Sequence, residues 1–425
     1  DRLFDPVALA VDPQGAFLLV ANGDFGLAYN SASVTPVDLR EVGRQLDMQG
    51  LRQGEPRQDV PLDIEGALMP DLTARIGAFA GRMRIDPTGR VAYVTSREES
   101  TIYALELVRN DQGGLTGLDC GGVAEPLQEC AASHQLVAHA EEDGLLLREP
   151  FGFDFLLEHG AGGPPRPRGL LATYLRTGDV ALFPLNPATS LPIPEAGQAD
   201  HQDLAGFASK DLVVHPDGQQ VFVTSRKSSL LRALRLLAAE AEPLSWSIED
   251  QGSLDTGNAG AVSSTDTRAI AVSPDGDRLF VARRHIPSTS TPQPAELVVL
   301  SRTLSVTGSV RIDVIGSLLL QERPSAMALW PGEGQRPSLL FVVCYAAGVV
   351  DVIDVDNLLV VQSIVVGAGP YDIVLAPAAE GGTDLGGLGL AYVARFTTHE
   401  ITVINIDPAH PRWLQVVGQI RGDAR

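Results

Sequence analysis

The chain has 425 residues, and its 53 acidic residues against 32 basic ones give a formal net charge of −21. Such an acid excess argues against sequence-independent nucleic-acid binding, and three cysteines are too few for the usual thiolate metal clusters. Hydrophobic residues make up 44% of the chain, enough to pack a core, yet no run of about eighteen apolar residues could span a bilayer.

One pattern recurs along the chain: a short apolar strand, a tight turn with Pro or Gly, and a second strand that ends in small and polar residues. Four strong copies cover residues 7–22, 83–97, 212–226 and 270–284. Three weaker copies with longer turns or loops cover 150–176, 324–345 and 370–395. Turns of this composition suit a type I turn closed by a left-handed glycine, so each copy is predicted to be an antiparallel hairpin.

Further strands follow the hairpins, and they are rich in Val, Ile, Leu, Phe and Tyr. Third strands are predicted over 101–107, 180–185, 296–301, 349–355 and 400–406, and fourth strands over 359–366 and 413–419. Radial packing of seven such sheets covers both faces of each sheet, so the predicted fold class is all-β, a seven-bladed β-propeller of four-stranded antiparallel blades with loop insertions. The predicted blades of this single domain, 1–425, are approximately 4–66, 80–145, 148–200, 208–257, 266–320, 323–367 and 369–420.

The second strands carry a family resemblance. Tyr93-Val94-Thr95-Ser96, Phe222-Val223-Thr224-Ser225, Tyr392-Val393-Ala394 and Leu19-Val20-Ala21-Asn22, each preceded by a turn, resemble the YVTN-type repeat. That family forms seven-bladed propellers in bacterial and archaeal extracytoplasmic proteins, surface-layer components among them. The resemblance covers nearly the whole chain and implies the fold, but it implies no single activity because propellers host many unrelated functions.

Inserts distinguish this chain from a bare scaffold. Residues 40–80 leave room for an outer strand near Val60 and for a short helix or loop around 68–79. The other inserts are 110–133 in the second blade, 186–208 between the third and fourth blades, and a Ser/Thr/Pro loop over 286–294. The last blade is complete by residue 420, so we expect the chain ends to meet blade to blade, without a terminal strand completing the opposite sheet.

Cysteine usage and the start of the chain indicate the compartment. Cys120 and Cys130 lie in one loop, close enough to form a disulfide, although two ordinary loop cysteines of a cytosolic protein are the alternative. Cys344 lies in an apolar strand, where a buried free thiol is expected. The chain begins at Asp1, as a mature product does after loss of a signal or lipoprotein leader, and as a trimmed sequence does too. We expect an extracytoplasmic location, namely periplasm, outer-membrane lipoprotein or secreted, with a lipid anchor before Asp1 left open.

Arginines recur where first strands begin and second strands end, positions that a meander brings to the same end of each blade. In a propeller these positions converge at one mouth of the central channel, and a ring of guanidinium groups there would bind a carboxylate or phosphate. The candidate binding residues are Arg82, Arg97, Arg148, Arg176, Arg226, Arg268, Arg283, Arg323 and Arg395. The alternative is that the same arginines form salt bridges between blades with nearby acids: Glu98, Glu99, Glu149, Glu322 and Glu400.

Catalytic signals are few. None of the eight histidines has a partner at metal-ligand spacing, and no nucleophile, phosphate-loop or dinucleotide motif is found, so no catalytic residue, metal or cofactor is predicted. His215 lies in a hairpin turn and is expected to be exposed, whereas His285 and His399 follow second strands near the predicted mouth. His285, Glu98 and Arg97 are the catalytic set of an alternative hypothesis, a lactonase-like propeller hydrolase.

The favoured hypothesis is a noncatalytic extracytoplasmic propeller that acts as a binding or scaffold module for an envelope or extracellular protein partner. A small anion at the Arg-rich mouth is a second expected ligand, and nucleic acid is not expected. The alternative is a hydrolase acting on an anionic lactone, for which a resemblance to lactonase-like propellers supplies residue types without a residue-by-residue match. A His and a Glu within hydrogen-bonding reach at the mouth would favour the enzyme, and interleaved Arg–Glu pairs would favour the scaffold.

Overall fold

The computed structural model describes residues 3–25, 31–48, 61–122, 130–140, 145–159, 164–193, 200–204, 206–238, 246–256, 265–285, 295–304, 310–332, 337–376 and 389–422. The fold class is the expected one, an all-β seven-bladed β-propeller of four-stranded antiparallel blades. In the described part of the chain, no helix is both long and apolar enough to cross a membrane.

Among the described residues, the helices lie in the inserts of blades one and two. Blade one has β1 (Pro6–Val11), β2 (Phe17–Asn22), β3 (Ala32–Asp38) and β5 (Ala74–Ile76), with α1 (Leu39–Met48) and β4 (Leu62–Ile64) between its last two strands. Blade two has β6 (Ala80–Ile85), β7 (Val91–Ser96) and β8 (Thr101–Arg109), with β9 (Leu115–Asp119) and β10 (Gln135–Leu136) both on β8. Blade three has β11 (Pro150–Glu158), β12 (Arg166–Tyr174), β13 (Val180–Pro184) and β14 (Asp200–Gln202).

The remaining blades are consecutive meanders. Blade four has β15 (Ser209–Val214), β16 (Gln220–Ser225), β17 (Leu230–Ala238) and β18 (Trp246–Asp255), and blade five has β19 (Thr265–Val272), β20 (Arg278–His285), β21 (Ala295–Leu304) and β22 (Val310–Leu320). Blade six has β23 (Pro324–Trp330), β24 (Leu339–Cys344), β25 (Val349–Asp354) and β26 (Leu359–Val365). Blade seven has β27 (Pro370–Ala376), β28 (Leu390–Arg395), β29 (Glu400–Asn405) and β30 (Gln415–Arg421).

The insert of blade one differs in part from the prediction. A short 3-10 helix, Pro70–Leu72, forms inside the segment 68–79 as predicted. The outer strand, β5, lies in the same segment, the longer helix α1 forms earlier, and Val60 lies outside the described residues. Strand β4 instead pairs in parallel with β30 and becomes a fifth strand of blade seven. Gly418 permits this pairing, because a Cβ there would lie 2.8 Å from Cδ1 of Ile64. As expected, the four consecutive strands of blade seven all come from one stretch near the end of the chain.

The described residues divide into two compact units. The first comprises Asp1–Gln135, Thr189–Leu191 and Ile364–Arg425, and the second comprises Leu136–Ala188 and Pro192–Ser363. In the first unit, blades seven and one share one apolar cluster and blades one and two share another. In the second unit, three further clusters join blade three to four, four to five, and five to six. The single domain over 1–425 stays a prediction.

Each first strand begins with the same backbone irregularity. A register shift occurs near the start of all seven first strands, so one or two residues there lack a cross-strand partner. In six blades the residue before the first strand is left-handed, and its carbonyl accepts the N–H of the residue that follows the second strand. Those residues are Asp5, Phe79, Glu149, Ala208, Arg323 and Gly369. The bulges of three blades present Arg82, Lys210 and Arg268.

The threonine of the repeat stabilises this bulge. Oγ1 of Thr95 accepts the N–H of Arg82 at 3.0 Å. Oγ1 of Thr224 accepts the N–H of Asp211 at 2.9 Å, and Thr173 has the same role in blade three. A buried N–H without an acceptor would destabilise the folded state, so the threonine of the repeat acts as the hydrogen-bond acceptor for the bulge backbone.

Candidate binding site

In the first unit, Arg82 is paired across blades. Its Nη1 lies 2.9 Å from Oδ1 of Asp372 on β27. The other carboxylate oxygen of Asp372 accepts the N–H of Leu9 on β1 at 3.0 Å. Asp372 therefore joins blades seven, one and two. Arg82 forms a salt bridge between blades, as expected if the arginines are not an anion site, but its partner is an aspartate and not one of the expected glutamates.

Arg395 is also paired. Its Nη1 lies 2.5 Å from Oε2 of Glu400, whose Oε1 accepts Nε–H of Arg421 at 2.8 Å. Arg395 is buried, and Gly367 packs so tightly against it that a Cβ there would collide with Nη2. This guanidinium is fixed within blade seven, which leaves little freedom to bind a ligand.

Arg97 and Glu98 follow β7. The N–H of Arg97 donates to the carbonyl of Phe79 at 3.2 Å, which completes the repeated backbone bond of blade two. The Arg97 side chain is half-buried and Glu98 is exposed, while Glu99 accepts a hydrogen bond from the Tyr103 hydroxyl. The side chain of His285, the third member of the alternative catalytic set, lies outside the described residues.

His399 forms a His–carboxylate contact in the first unit. Its Nδ1 accepts the N–H of Asp5 at 3.0 Å and lies 3.4 Å from Oδ1 of the same residue. The ring stacks on Phe4 at a centroid distance of 5.3 Å. Burial raises the pKa of Asp5, and the imidazole opposes this rise. Because Nδ1 accepts a backbone N–H, the imidazole fastens the entry of β1 to blade seven.

In the second unit, Arg283 is fully occupied by internal partners. Its Nε donates to Oε2 of Glu296 at 2.8 Å, and its Nη1 donates to the carbonyl of Thr256 at 2.6 Å. The residue is buried. Arg283 therefore holds the β20–β21 pair and the end of blade four together.

Two other arginines of the second unit bind one carboxylate, and a third, Arg226, lies near one of them. Asp266 on β19 is completely buried, and its Oδ2 lies 2.5 Å from Nη2 of Arg268 and 2.8 Å from Nη2 of Arg284. Nε of Arg284 also donates to Oδ1 of Asp266 at 3.2 Å. Burial is the main cause that lowers the pKa of Arg268, and the charges of Arg284 and Arg226 lower it further while Asp266 opposes them.

Backbone hydrogen bonds bring Arg226 to this cluster. The N–H of Ser225 donates to Oγ1 of Thr267 at 2.6 Å, and that hydroxyl donates to the Ser225 carbonyl at 3.1 Å. These bonds join the end of β16 to β19, so the next residues, Arg226 and Arg268, become neighbours. Nζ of Lys210 donates to the Arg268 carbonyl at 2.8 Å, which adds a fourth cation behind the cluster.

The last three candidates are exposed. Arg148, Arg176 and Arg323 have no side-chain ion pair within the described ranges, and the Arg148 carbonyl accepts the Arg176 N–H at 3.4 Å. The structure thus groups Arg226 with Arg268 and pairs Arg82, Arg283 and Arg395 internally. A single ring of all nine candidates stays a prediction.

Two other expectations can be compared with the structure. Cys120 and Cys130 form the expected disulfide, and Cys344 is a buried free thiol. The expectation that His215 is exposed is wrong: the ring is buried, and its Nε2 lies 2.9 Å from the carbonyl of Gly276 in the neighbouring blade. The turn of blade four is covered by the turn of blade five, which local sequence does not reveal.

Sequence reasoning missed a second set of interblade pairs at the hairpin turns. Nη2 of Arg109 lies 2.7 Å from Oδ1 of Asp12, and Nη2 of Arg302 lies 2.5 Å from Oδ2 of Asp217. Both aspartates belong to the Asp-Pro or Pro-Asp-Gly turns, whose carboxylates were the available signal. Among the residues that the structure describes, no three His, Cys, Asp or Glu side chains are grouped to hold a metal.

No protein-family model matches the chain, and no curated protein matches it in sequence. The YVTN-type resemblance therefore has no confirmation at the level of the family. The propeller fold, by contrast, is shared with many solved structures.

Three of these structures illustrate the range of propellers that this chain resembles. A periplasmic gluconolactonase of Pseudomonas aeruginosa is 15% identical, with a TM-score of 0.56 over 86% of this chain and 87% of its own. A putative 6-phosphogluconolactonase of Bacteroides fragilis is 16% identical, with a TM-score of 0.51 over 86% and 85%. The hydrazine synthase of Kuenenia stuttgartiensis is 13% identical, with a TM-score of 0.56 over 95% and 96%. Identities this low show the fold alone.

Proposed function

We propose that the chain is a noncatalytic extracytoplasmic β-propeller that binds an envelope or extracellular protein partner. The observation that carries this proposal is an exposed, uncharged surface on the outer strands of blades five and six. We call it the outer apolar surface and define it by Val314, Ile315, Leu319, Leu359, Val360 and Val361. Leu319 is 68% exposed and Leu359 is 47% exposed.

Strands β22 and β26 come close to each other at Gly316. A Cβ on Gly316 of β22 would lie 2.9 Å from Cδ1 of Leu358, the residue before β26. Residues 314–320 and 358–366 contain no charged side chain, although the chain carries a net charge of −21. Exposed apolar residues that cluster in this way mark an interaction site more often than scattered ones do.

Outer strands also present unpaired backbone groups, and proteins usually protect them with charged side chains, Pro or a covering segment. In blade seven the chain protects β30 with its own strand β4. Strands β22 and β26 stand last in their sheets and have no such cover among the described residues. We infer that an extended, apolar and uncharged segment of the partner pairs as an added strand with the exposed edge of β22 or β26. A second copy of this chain is disfavoured because two highly acidic molecules repel each other.

The pairing of the arginines supports a noncatalytic role. Arg82, Arg283 and Arg395 are engaged by Asp372, Glu296 and Glu400, which is the arrangement expected of a scaffold. Salt bridges of this kind hold neighbouring strands or blades in place.

An extracytoplasmic location is supported by the disulfide between Cys120 and Cys130, since such bonds persist in oxidising compartments. The Pseudomonas aeruginosa gluconolactonase, which shares the fold, is described as periplasmic. Secretion or a lipid anchor before Asp1 remains part of the proposal.

The partner proposal is tested by capture from native envelopes, followed by affinity measurement with the captured protein after its identification by mass spectrometry. Val314→Asp combined with Val360→Asp should weaken binding by about tenfold or more, because each carboxylate would have to be desolvated at the interface. Val108→Asp, at an exposed valine of β8, is the matched control and should bind as the unchanged chain does. Equal binding by all three proteins would contradict the proposal.

The alternative, a lactonase-like hydrolase using Arg97, Glu98 and His285, is tested with the purified protein on gluconolactone and 6-phosphogluconolactone. We expect no turnover above the spontaneous rate. Hydrolysis that is abolished by the double substitution Arg97→Ala and Arg226→Ala would establish the enzyme in place of the scaffold.

A further inference from the structure

Among the described residues, the arginine cluster of blades four and five holds three guanidinium groups and one carboxylate that pairs with two of them. Arg268 and Arg284 share the single carboxylate of Asp266, and the charge of Arg226 acts on Arg268 from the neighbouring strand. Lys210 adds a fourth cation through its bond to the Arg268 carbonyl.

The segments that flank β19 and β20 in the sequence are free of acidic residues on the side of the cluster's arginines. Residues 257–264 lead into β19 and residues 286–294 follow β20, and neither segment contains an Asp or a Glu. Lys227, directly after Arg226, is a further exposed cation. In the described part of the chain, Arg226 has no anionic side-chain partner, and buried Nε of Arg268 has no hydrogen-bond acceptor.

Arg268 is held in place by its neighbours, whereas Arg226 is exposed to solvent. Arg268 is the unpaired residue of the β19 bulge, and its position is set by Asp266 and by the Lys210 ammonium. Lys210 is itself buried and lies 5.4 Å from the centre of the Phe151 ring. Arg226, in contrast, is exposed at the end of β16, so its guanidinium is accessible from solvent.

We propose that Arg226, Arg268 and Arg284 form a binding site for a small dianionic oxyanion, a phosphate group or a dicarboxylate. Arginine suits such ligands because its planar guanidinium presents paired N–H donors that match two oxygens of a carboxylate or phosphate. Asp266 orients two of the three guanidiniums and keeps them apart from each other, and the ligand neutralises the remaining charge. This inference deepens the anion binding expected of the noncatalytic module, and its test needs no protein partner.

The test is titration calorimetry of the full chain with inorganic phosphate and with succinate, each against sodium chloride at matched ionic strength. We expect saturable binding of at least one dianion and a rise of the melting temperature on its addition, because a ligand that binds only the folded state stabilises it. Binding of phosphate alone assigns a phosphate group, binding of succinate alone assigns a dicarboxylate, and binding of neither overturns the proposal.

Variants separate a built site from general charge attraction. Arg226→Gln should weaken binding by about tenfold or more, since it removes a charged hydrogen-bond donor. Arg226→Lys keeps the charge but loses the paired N–H donors of the guanidinium, so it should bind the anion more weakly than the unchanged chain does. Arg235→Gln, at an exposed arginine of β17 in the same blade, is the control and should leave affinity unchanged. Equal losses for Arg226→Gln and Arg235→Gln would overturn the site while leaving partner binding by the outer apolar surface untouched.

Discussion

At the scale of single residues, the polar ends of the second strands serve the backbone. Thr95 and Thr224 accept the N–H groups of the bulges, and Oγ of Ser96 donates to the carbonyl of Ala78 at 3.0 Å. These hydroxyls explain why a Thr-Ser pair recurs at this point of the repeat without reference to catalysis. The next residue is Arg97 in blade two and Arg226 in blade four, and their N–H groups donate to the carbonyls of Phe79 and Ala208. The two side chains differ in exposure, since Arg97 is half-buried and Arg226 is exposed.

Cys344 provides a prediction for the pH dependence of stability. Burial, with a smaller contribution from Asp351, raises the pKa of this thiol above its ordinary value of 9.0. The unfolded chain loses the proton above that pH while the folded chain keeps it, so stability falls as pH rises further, by about 1.4 kcal/mol per pH unit for one group.

The measurement is urea unfolding of the unchanged chain and of Cys344→Ala across the alkaline range. The buried hydroxyls of Tyr93, Tyr174 and Tyr392 also have raised pKa values and act in the same direction, so the difference between the two proteins isolates the thiol. If the free energies of unfolding of the two proteins fell in parallel with pH, the thiol would have the same pKa in the folded and unfolded chains, against the prediction.

At the scale of elements, hairpins were predictable and short added strands were not. The hairpins β15–β16 and β19–β20 lie where the Pro-Asp-Gly turns and apolar runs place them, because both signals are local. Strands β4 and β5 have three residues each, too few to show alternation, and their partners are set by packing at a distance. The bulges escaped prediction for the same reason, since only the pairing register reveals the residue that lacks a partner.

The disulfide of blade two gives a prediction at this scale. It closes a short loop with a sequence separation of 10, and loop closure of this size is worth about 3 kcal/mol through the entropy of the unfolded chain. Reduction should therefore lower the melting temperature. The double substitution Cys120→Ser and Cys130→Ser should melt lower than the unchanged chain and should no longer respond to reductant.

Cys344→Ala is the control for this experiment. Its disulfide is intact, so its melting temperature should fall on reduction by as much as that of the unchanged chain. If reductant left the unchanged chain unaffected, the bridge would be absent from the protein in solution or would contribute nothing to its stability.

At the scale of the whole molecule, aspartates of one blade bind the backbone or side chains of the next. In the first unit, Asp372 accepts the N–H of Leu9, and in the second unit, Asp154 accepts the N–H of Val214, each at 3.0 Å. The turn aspartates Asp12 and Asp217 pair with arginines of the following blade. Several aspartates and arginines of the described residues thus hold neighbouring blades of the same unit together.

Asp372→Ala tests this role. It would leave the partly buried Arg82 guanidinium and the buried Leu9 N–H without their acceptor, so we expect a loss of about 3–5 kcal/mol in the free energy of unfolding. Urea unfolding measures the loss, and hydrogen exchange at the Leu9 amide should accelerate. Asp313→Ala, which breaks an exposed pair with Arg311, should change stability by at most about 1 kcal/mol.

A double substitution guards against attributing the effect to lost packing alone. Arg82→Met with Asp372→Leu removes both charges, and it should be less destabilising than Asp372→Ala because no uncompensated charge is left buried. Similar losses in both proteins would mean that the ion pair contributes little beyond the volume it fills.

The sequence by itself determined the all-β fold class, the seven hairpins, the Cys120–Cys130 pair and the burial of Cys344, because these depend on alternation, turn residues and short separations along the chain. Only the tertiary structure decided which arginines are paired and which are available. Arg82 pairs with an acid 290 residues away, whereas Arg226 lies beside Arg268 at the junction of two blades. Charge neighbours of this kind are created by the packing of sheets, which no local pattern records.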